Sequence, residues 1–422
     1  MRAFNLASPL LAACMIIFGP SAHAQATLRD AFEAAWRRQP QAQAAAARDE
    51  EFTARGKAAQ AFLPGPPALG LEHWTDGVTR NDGMRKYAGE MSVPLWLPGQ
   101  KERAQAVIGA ERVAYDGALA LARLRLAGEV RESYWNARAA AAEVALAEAT
   151  LQNLLALESD VARRFRAGDL ARIDGNRALA EVQMQRLTLA DTRARAERAW
   201  GVFGALTGLP RMPDGNEAPA EMPARALADV DRTSAGSARA ARANLRDDHP
   251  ALRAAAQAVA SLRARLEQVR GDDRDAPEIG VGTIRERSEF GRPWEQIVTF
   301  RLRVPFGNEN RNRPRLAAVN VELMEAQAAQ AVVAAQMATE AASAERELVA
   351  AEAALPLAES RSALARDTRE LVERGFRLGE FDLVTRLRAE REHAEADLAR
   401  ARAVLEAGRA NARLKQALGI LP

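Results

Sequence analysis

An ordered internal duplication constrains this 422-residue chain more than any other feature. Landmarks recur in one order at an offset of 210 to 212 residues. Gln39-Pro40 pairs with His249-Pro250, and Val93-Pro94-Leu95 with Val304-Pro305-Phe306. Phe165-Arg166-Ala167-Gly168-Asp169-Leu170 pairs with Phe376-Arg377-Leu378-Gly379-Glu380-Phe381, and Ala205-Leu206 through Leu209-Pro210 with Ala417-Leu418 through Leu421-Pro422. Self-similarity at a fixed period means one supersecondary unit built twice. The chain therefore divides into a first repeat, 25–210, a connector, 211–247, and a second repeat, 248–422, after a leader over 1–24. The connector holds Pro213, Pro219 and Pro223 among small and charged residues. That is loop composition, expected to run along the outside of the helices.

Each repeat reads as short helix, β-hairpin, very long helix, tight turn and return helix. The stretch 100–166 has no proline and only isolated glycines, while 315–374 has one proline, Pro356. At about 1.5 Å per residue such helices approach 90 to 100 Å, too long for an ordinary globular domain. They must pack side by side. Leu357, Leu364, Leu371 and Leu378 step by seven, and Leu383, Leu387, Ala394, Leu398 and Leu405 step by four and seven, which is coiled-coil spacing.

The hairpins are predicted over 67–75 and 86–95 around the polar loop from Asp76 to Gly83, and again around residues 297–304. In the second, Val298, Phe300, Leu302 and Val304 alternate with Ile297, Thr299, Arg301 and Arg303, giving one apolar face and one mostly polar face. A small soluble sheet with one buried face fits this pattern, and so does a transmembrane β-strand of about 9 to 11 residues. The neighbouring helices and the leader favour the membrane strand. Arg2, the apolar run from Leu6 to Phe18 and Ala22-His23-Ala24 make a secretory signal peptide with the mature chain starting near Gln25. A lipoprotein signal cleaved before Cys14 is the rival. No later window is apolar enough for a transmembrane helix. Four strands per chain cannot close a barrel, because closed outer-membrane barrels start at about eight strands and lipid tolerates no open edge, so several copies must combine.

With its leader, duplication, Val-Pro strand ends and two Phe-x-x-Gly turns, the chain resembles the TolC family of outer-membrane efflux channels over nearly all of residues 27–422. The resemblance implies a fold that is mainly α with a transmembrane β-barrel contribution: a duplicated β-hairpin plus long antiparallel coiled-coil helices, closed as a trimeric α/β barrel. It implies a homotrimer in outer-membrane lipid, reaching into the periplasm and fed by an inner-membrane pump, expected to be of the RND type, through a periplasmic adaptor. By the same resemblance Phe165, Gly168, Asp169, Leu170, Phe376, Gly379, Glu380 and Phe381 form the periplasmic tips that meet the adaptor. Asp174, Thr385 and Arg388 fall at the pore constriction. Thr385 and Arg388 stand where several members are acidic, so an arginine ring selecting anions and an intersubunit salt bridge of Arg388 with Glu390, Glu392 or a neighbour both remain open. The stretch Leu97-Pro98-Gly99-Gln100-Lys101 is similar to one in heavy-metal efflux members. A periplasmic coiled-coil adaptor or scaffold, and a type I protein secretion conduit, are the alternative functions.

The remaining chemistry is sparse. The 59 basic and 56 acidic residues are interspersed, giving a net charge of +3, which argues for solvated helix faces and against nucleic-acid binding. His73, His249 and His393 have no metal-ligand spacing, and Glu392-His393 with Glu395 reads as a solvated face. With Cys14 in the leader, no thiol chemistry is expected of the mature chain. Neither cofactor nor enzymatic activity is predicted.

Overall fold

The computed structural model describes residues 27–210, 248–307 and 309–422, without the side chains of Glu309 and Arg311. The expected leader and the connector 211–247 lie outside the described residues. Helix α1, Leu28–Arg38, starts at a capping box in which Thr27 accepts from the Asp30 amide and Asp30 accepts from the Thr27 amide. Its spacing puts Leu28, Ala31, Phe32 and Ala35 on one buried face. Gln39 then breaks the helix with an extended backbone, and Pro40, at the first position of α2 (Pro40–Gln60), restarts it. The second half repeats the device. His249 caps α5 (Pro250–Gly271), its ring accepting from the Ala251 amide at 3.2 Å, with Pro250 at the first position.

Strands β1 (Ala68–Thr75), β2 (Arg85–Pro94), β3 (Glu278–Arg287) and β4 (Glu295–Arg303) make one antiparallel sheet in the order β1-β2-β3-β4. The first hairpin and strand β4 match the expected positions to within a residue or two, and β3 is the partner that completes the second hairpin. The β2–β3 ladder, running from Arg85 opposite Arg287 to Pro94 opposite Glu278, joins the halves. Among the described residues both outer strands have one free edge.

Helix α3, Gln100–Ala167, has 68 residues and turns back as α4, Arg172–Thr207. Helix α6, Glu309–Leu378, has 70 residues and turns back as α7, Leu383–Ala417. Each long helix is therefore about 100 Å. Helix α6 starts earlier than the expected 315 and runs through Pro314 as well as Pro356. Its first turns are anchored on α5, where buried Asn312 donates to the Val269 carbonyl at 2.9 Å, so packing outweighs the hydrogen bond lost at Pro314.

Packing runs α4–α3–α7–α6, with α5 between α3 and α6. One core gathers Phe32 of α1, Val130, Tyr134 and Trp135 of α3 and Phe203 of α4. A second lies at the far end of the helices, and a third, rich in alanine, joins α6 to α7 through Ala341, Ala342, Ala410 and Leu414. The heptad row Leu357, Leu364, Leu371 and Leu378 belongs to none of these. Those side chains are 73%, 67%, 51% and 76% exposed, so they line a face of α6 that no part of the chain covers among the described residues. Much of the interspersed charge is not merely solvated, because it links helices: Arg402 to Glu143 at 2.6 Å, Arg193 to Glu148 at 2.6 Å, and Arg409 to Glu132.

Candidate functional site: sheet faces and helical tips

Strand register turns four separate alternations into two continuous faces. Leu71, Gly89, Thr283 and Val298 form one row, Leu69, Met91, Val281 and Phe300 the next, and Val93, Ile279 and Leu302 a third. Val304 extends this face past the end of β4. The expected lipid-facing residues Val298, Phe300, Leu302 and Val304 are all exposed, Phe300 by 80%. The opposite face carries ion pairs, Arg301 to Glu90 at 3.0 Å, Arg303 to Glu278 at 3.9 Å and Lys86 to Glu286 at 3.8 Å. A depression of about 380 Å³ lies on this polar side, lined by Glu72, Glu90, Arg301 and Arg303 among others.

No helix packs across either face among the described residues. A soluble sheet would cover its apolar face, since each large side chain left in water forgoes about 1.5 to 3 kcal/mol of burial. Among the described residues nothing makes that contact. At the helix end of the sheet sit Phe62, 89% exposed, and Phe306, 90% exposed, with Trp96 donating to the Ala61 carbonyl at 3.1 Å. At the loop end sit Tyr87 and Trp294, with ring centroids 6.0 Å apart. Aromatic residues at both borders of an apolar band are the pattern of a membrane barrel.

At the other end of the molecule the two tips are built alike. The Gly168 amide donates to Phe165 O at 3.0 Å and the Asp169 amide to Arg164 O at 2.9 Å; the Gly379 amide donates to Phe376 O at 3.2 Å and the Glu380 amide to Gly375 O at 2.9 Å. This double bond pattern ends a helix on a left-handed residue. Gly168 has φ 88° and Gly379 φ 82°, and a Cβ at either would meet open space. Glycine is thus required by backbone conformation and not by crowding.

Packing makes the two copies unequal. Phe165 is 43% exposed, whereas Phe376 is 4% exposed in the core of Leu154, Leu157, Val161, Val182 and Leu387. Phe376 is a core residue and Leu170 is partly buried against the same core, which leaves Phe165, Gly168, Asp169, Gly379, Glu380 and Phe381 on the surface. Arg164 ties the tips together, donating to the Phe376 carbonyl at 3.2 Å with its guanidinium over the Phe376 ring at 4.9 Å.

The three constriction candidates fall in the first turns of the return helices. Asp174 lies in the first turn of α4, 3.8 Å from Arg177. Thr385 is held by the cap of α7, its amide donating to Asp382 at 2.8 Å. Hydrogen bonds from Thr385 keep the Asp382 carboxyl below the usual carboxylate range. Arg388 is exposed and pairs within its own helix with Glu392 at 2.8 Å, while Glu390 is engaged by Arg386.

Glu390 belongs to a buried cluster that the sequence reading missed. Arg386, with its side chain 8% exposed, bridges Glu390 at 2.6 Å and Glu373 of α6 at 3.2 Å and donates to the Arg369 carbonyl at 3.1 Å. Further along α7, His393 is 9% exposed and lies 3.6 Å from Asp397, which accepts from buried Ser362 at 2.5 Å. The solvated-face expectation for His393 is thus corrected. The signal was present: Leu383, Arg386, Glu390, His393 and Asp397 alternate by three and four, which puts polar residues in the seam itself.

No family model matches the chain, and no curated protein matches it significantly. Solved structures do. CusC, studied for the conformational changes that accompany folding and transmembrane channel formation, aligns with a TM-score of 0.74 at 16% identity over 94% of this chain and 93% of its own. The outer-membrane protein VceC of Vibrio cholerae gives 0.70 at 15% identity over 93% and 96%. The open state of the MtrE outer-membrane channel of Neisseria gonorrhoeae gives 0.65 at 18% identity over 93% and 89%. With duplicated hairpins in one two-faced sheet and helices of about 100 Å turning back at paired glycine tips, this chain has the fold of those outer-membrane channels.

Proposed function

We propose that this protein is the outer-membrane channel subunit of a tripartite efflux system, a passive duct for substrates delivered by an inner-membrane pump and a periplasmic adaptor. The carrying observation is the bare four-stranded sheet, apolar on one face, charged on the other and open at both edges. In lipid those edges must pair, and β4 of one copy against β1 of the next closes a ring. Three copies give twelve strands, with the charged face lining a water-filled lumen. The uncovered leucine row of α6, and Met184 and Leu187 of α4, 64% and 70% exposed, supply the helical contacts between copies. The surface residues of the tips, Phe165, Gly168, Asp169, Gly379, Glu380 and Phe381, are the adaptor contact, and Asp174, Thr385 and Arg388 border the narrow end. A coiled-coil scaffold has no use for a two-faced sheet bare on both sides.

Reconstitution into planar bilayers tests the reading. Discrete conductance steps are expected from the wild type, and none from Phe300→Arg, which would put a charge in the lipid face. Gly379 and Phe381 variants should assemble as trimers yet lose transport in cells. Wild-type protein that stays soluble and never conducts would overturn the channel, and full transport after both tips are altered would remove the docking role.

A further inference from the structure

We propose that Arg285 and Arg287, with Trp294 beside them, form a binding site for the phosphate of an anionic phosphorylated lipid headgroup in the leaflet opposite the periplasm. This inference rests on the membrane-barrel reading above. Register supplies the location. Tyr87, Arg285 and Gln296 form the row just beyond Leu71–Val298 on the apolar face, and Arg85 and Arg287 mark the row after that, with Trp294 just ahead of β4, at the loop end away from the helices. Rows are two residues apart, so these arginines stand about 7 and 14 Å beyond the last apolar row, at headgroup height.

Their surroundings differ from those of the arginines across the sheet. Arg301 and Arg303, on the polar face, reach Glu90 and Glu278. Among the described residues, Arg285 and Arg287 have no carboxylate partner. Their guanidinium groups lie 5.1 and 5.0 Å from the centroid of Trp294. Arg287 lies 5.4 Å from the Phe290 ring as well, and its Nε donates to the Gly83 carbonyl at 3.3 Å. That carbonyl is fixed, because the two hairpin loops lock at Gly83: its φ is 99°, the Phe290 amide donates to Asp82 O at 2.9 Å, and a Cβ would strike Phe290. Tyr87 packs against Trp294 from the next row, with His73 stacked on Tyr87 at 4.5 Å.

Arg85, opposite Arg287, is paired with Asp76 at 3.1 Å, which leaves Arg285 and Arg287 as two cations side by side on a lipid-facing surface with no carboxylate of their own, and these call for an anion. A guanidinium stacked on a ring still offers N–H edges in its plane, and these match phosphate oxygens in a bidentate way. Continuity with the Leu71, Val298 and Phe300 rows selects a lipid over free phosphate, since acyl chains lie on those rows while the headgroup reaches the arginines.

The test uses full-length protein in phosphatidylcholine nanodiscs doped with a bisphosphorylated glycolipid or its dephosphorylated form, with bound lipid counted by native mass spectrometry. Wild type should retain the phosphorylated form about tenfold more strongly. Arg285→Gln/Arg287→Gln should lose that preference, and Arg301→Gln/Arg303→Gln, with the same charge change on the other face, should keep it. Equal retention of both lipids by wild type, or equal loss in the two double variants, overturns the site. Displacement of the lipid by millimolar inorganic phosphate, with phosphate held equally well by lipid-free protein, overturns the lipid assignment. Vesicle flotation separates the two levels: wild type that inserts without lipid preference refutes this inference alone, and wild type that fails to insert refutes the barrel beneath it.

Discussion

Replacing Arg386 by methionine should loosen the second helical tip far more than its single charge suggests. Arg386 and Glu390 are 6% exposed each, and Arg386 also bridges Glu373 at 3.2 Å. Removing the cation leaves the Glu390 carboxylate buried and unpaired, which costs about 3 kcal/mol or more. Glu373, 35% exposed, keeps water and adds little. A loss of about 3 kcal/mol of local stability is roughly a hundredfold in an opening equilibrium. Amide exchange in the first turns of α7 should therefore speed up by about that factor where opening limits it. Replacing both partners, Arg386→Met with Glu390→Leu, should bring exchange back to within about 1 kcal/mol of wild type, since an apolar pair of similar volume avoids the desolvation cost. The exposed Arg388→Met, which breaks only the pair with Glu392, should change it by less than about 0.5 kcal/mol. A single variant that exchanges like wild type, or a double variant as labile as the single, would refute the buried-charge reasoning.

Other expectations follow from the same geometry. Val298→Arg or Phe300→Arg should each cost about 2 to 4 kcal/mol in bilayer refolding titrations if the residue sits near the midplane, and Thr299→Arg on the opposite face should cost much less. Gly379→Ala and Gly168→Ala should each lose about 1 kcal/mol in urea unfolding, with Asn milder than Ala, because the penalty is left-handed backbone and no neighbour intrudes. Burial holds the His249 pKa below its ordinary value, so the folded state favours the neutral ring while the unfolded chain takes a proton near pH 6.5. Stability from this residue is complete above about pH 6.5 and falls as the pH drops toward the folded pKa. His249→Asn keeps a capping side chain and should flatten that slope in thermal melts at pH 7.5 and 5.5. Leu364→Glu should leave helix content unchanged by circular dichroism while dissociating the proposed trimer in gel filtration, because Leu364 is 67% exposed within the chain.

The arrangement also separates a braced shaft from the exposed tips. The ion pairs that cross between helices, Arg402–Glu143 and Arg409–Glu132 among them, fix α3 against α7 along the shaft. The covered tip core around Phe376 and the exposed Phe165 give the two tips different surfaces from one motif. An adaptor meeting both repeats would therefore find two distinct contacts.

The duplication, the hairpins, the long helices and the glycine tips are legible in the order of amino acids alone. Each is a local instruction: a positive φ at Gly168 and Gly379, a proline at the start of α2 and α5, a period of two along Ile297–Val304. Local conformation depends on neighbours in the chain, so it is legible there. Tertiary structure decided which surfaces these elements cover. Leu357, Leu364, Leu371 and Leu378 have coiled-coil spacing, but only packing reveals that their stripe faces away from α7. Phe165 and Phe376 occupy equivalent positions, but one is exposed and the other buried because the halves pack asymmetrically around one core. Arg386 and Glu390 lie on an Arg/Glu-rich helix whose composition does not mark them out, and the seam against α6 buries them. Likewise the alternation in β4 fits a covered soluble sheet or a membrane wall equally well. The difference is whether anything lies on the apolar face, and that is a fact about distant elements that no stretch of strand can encode.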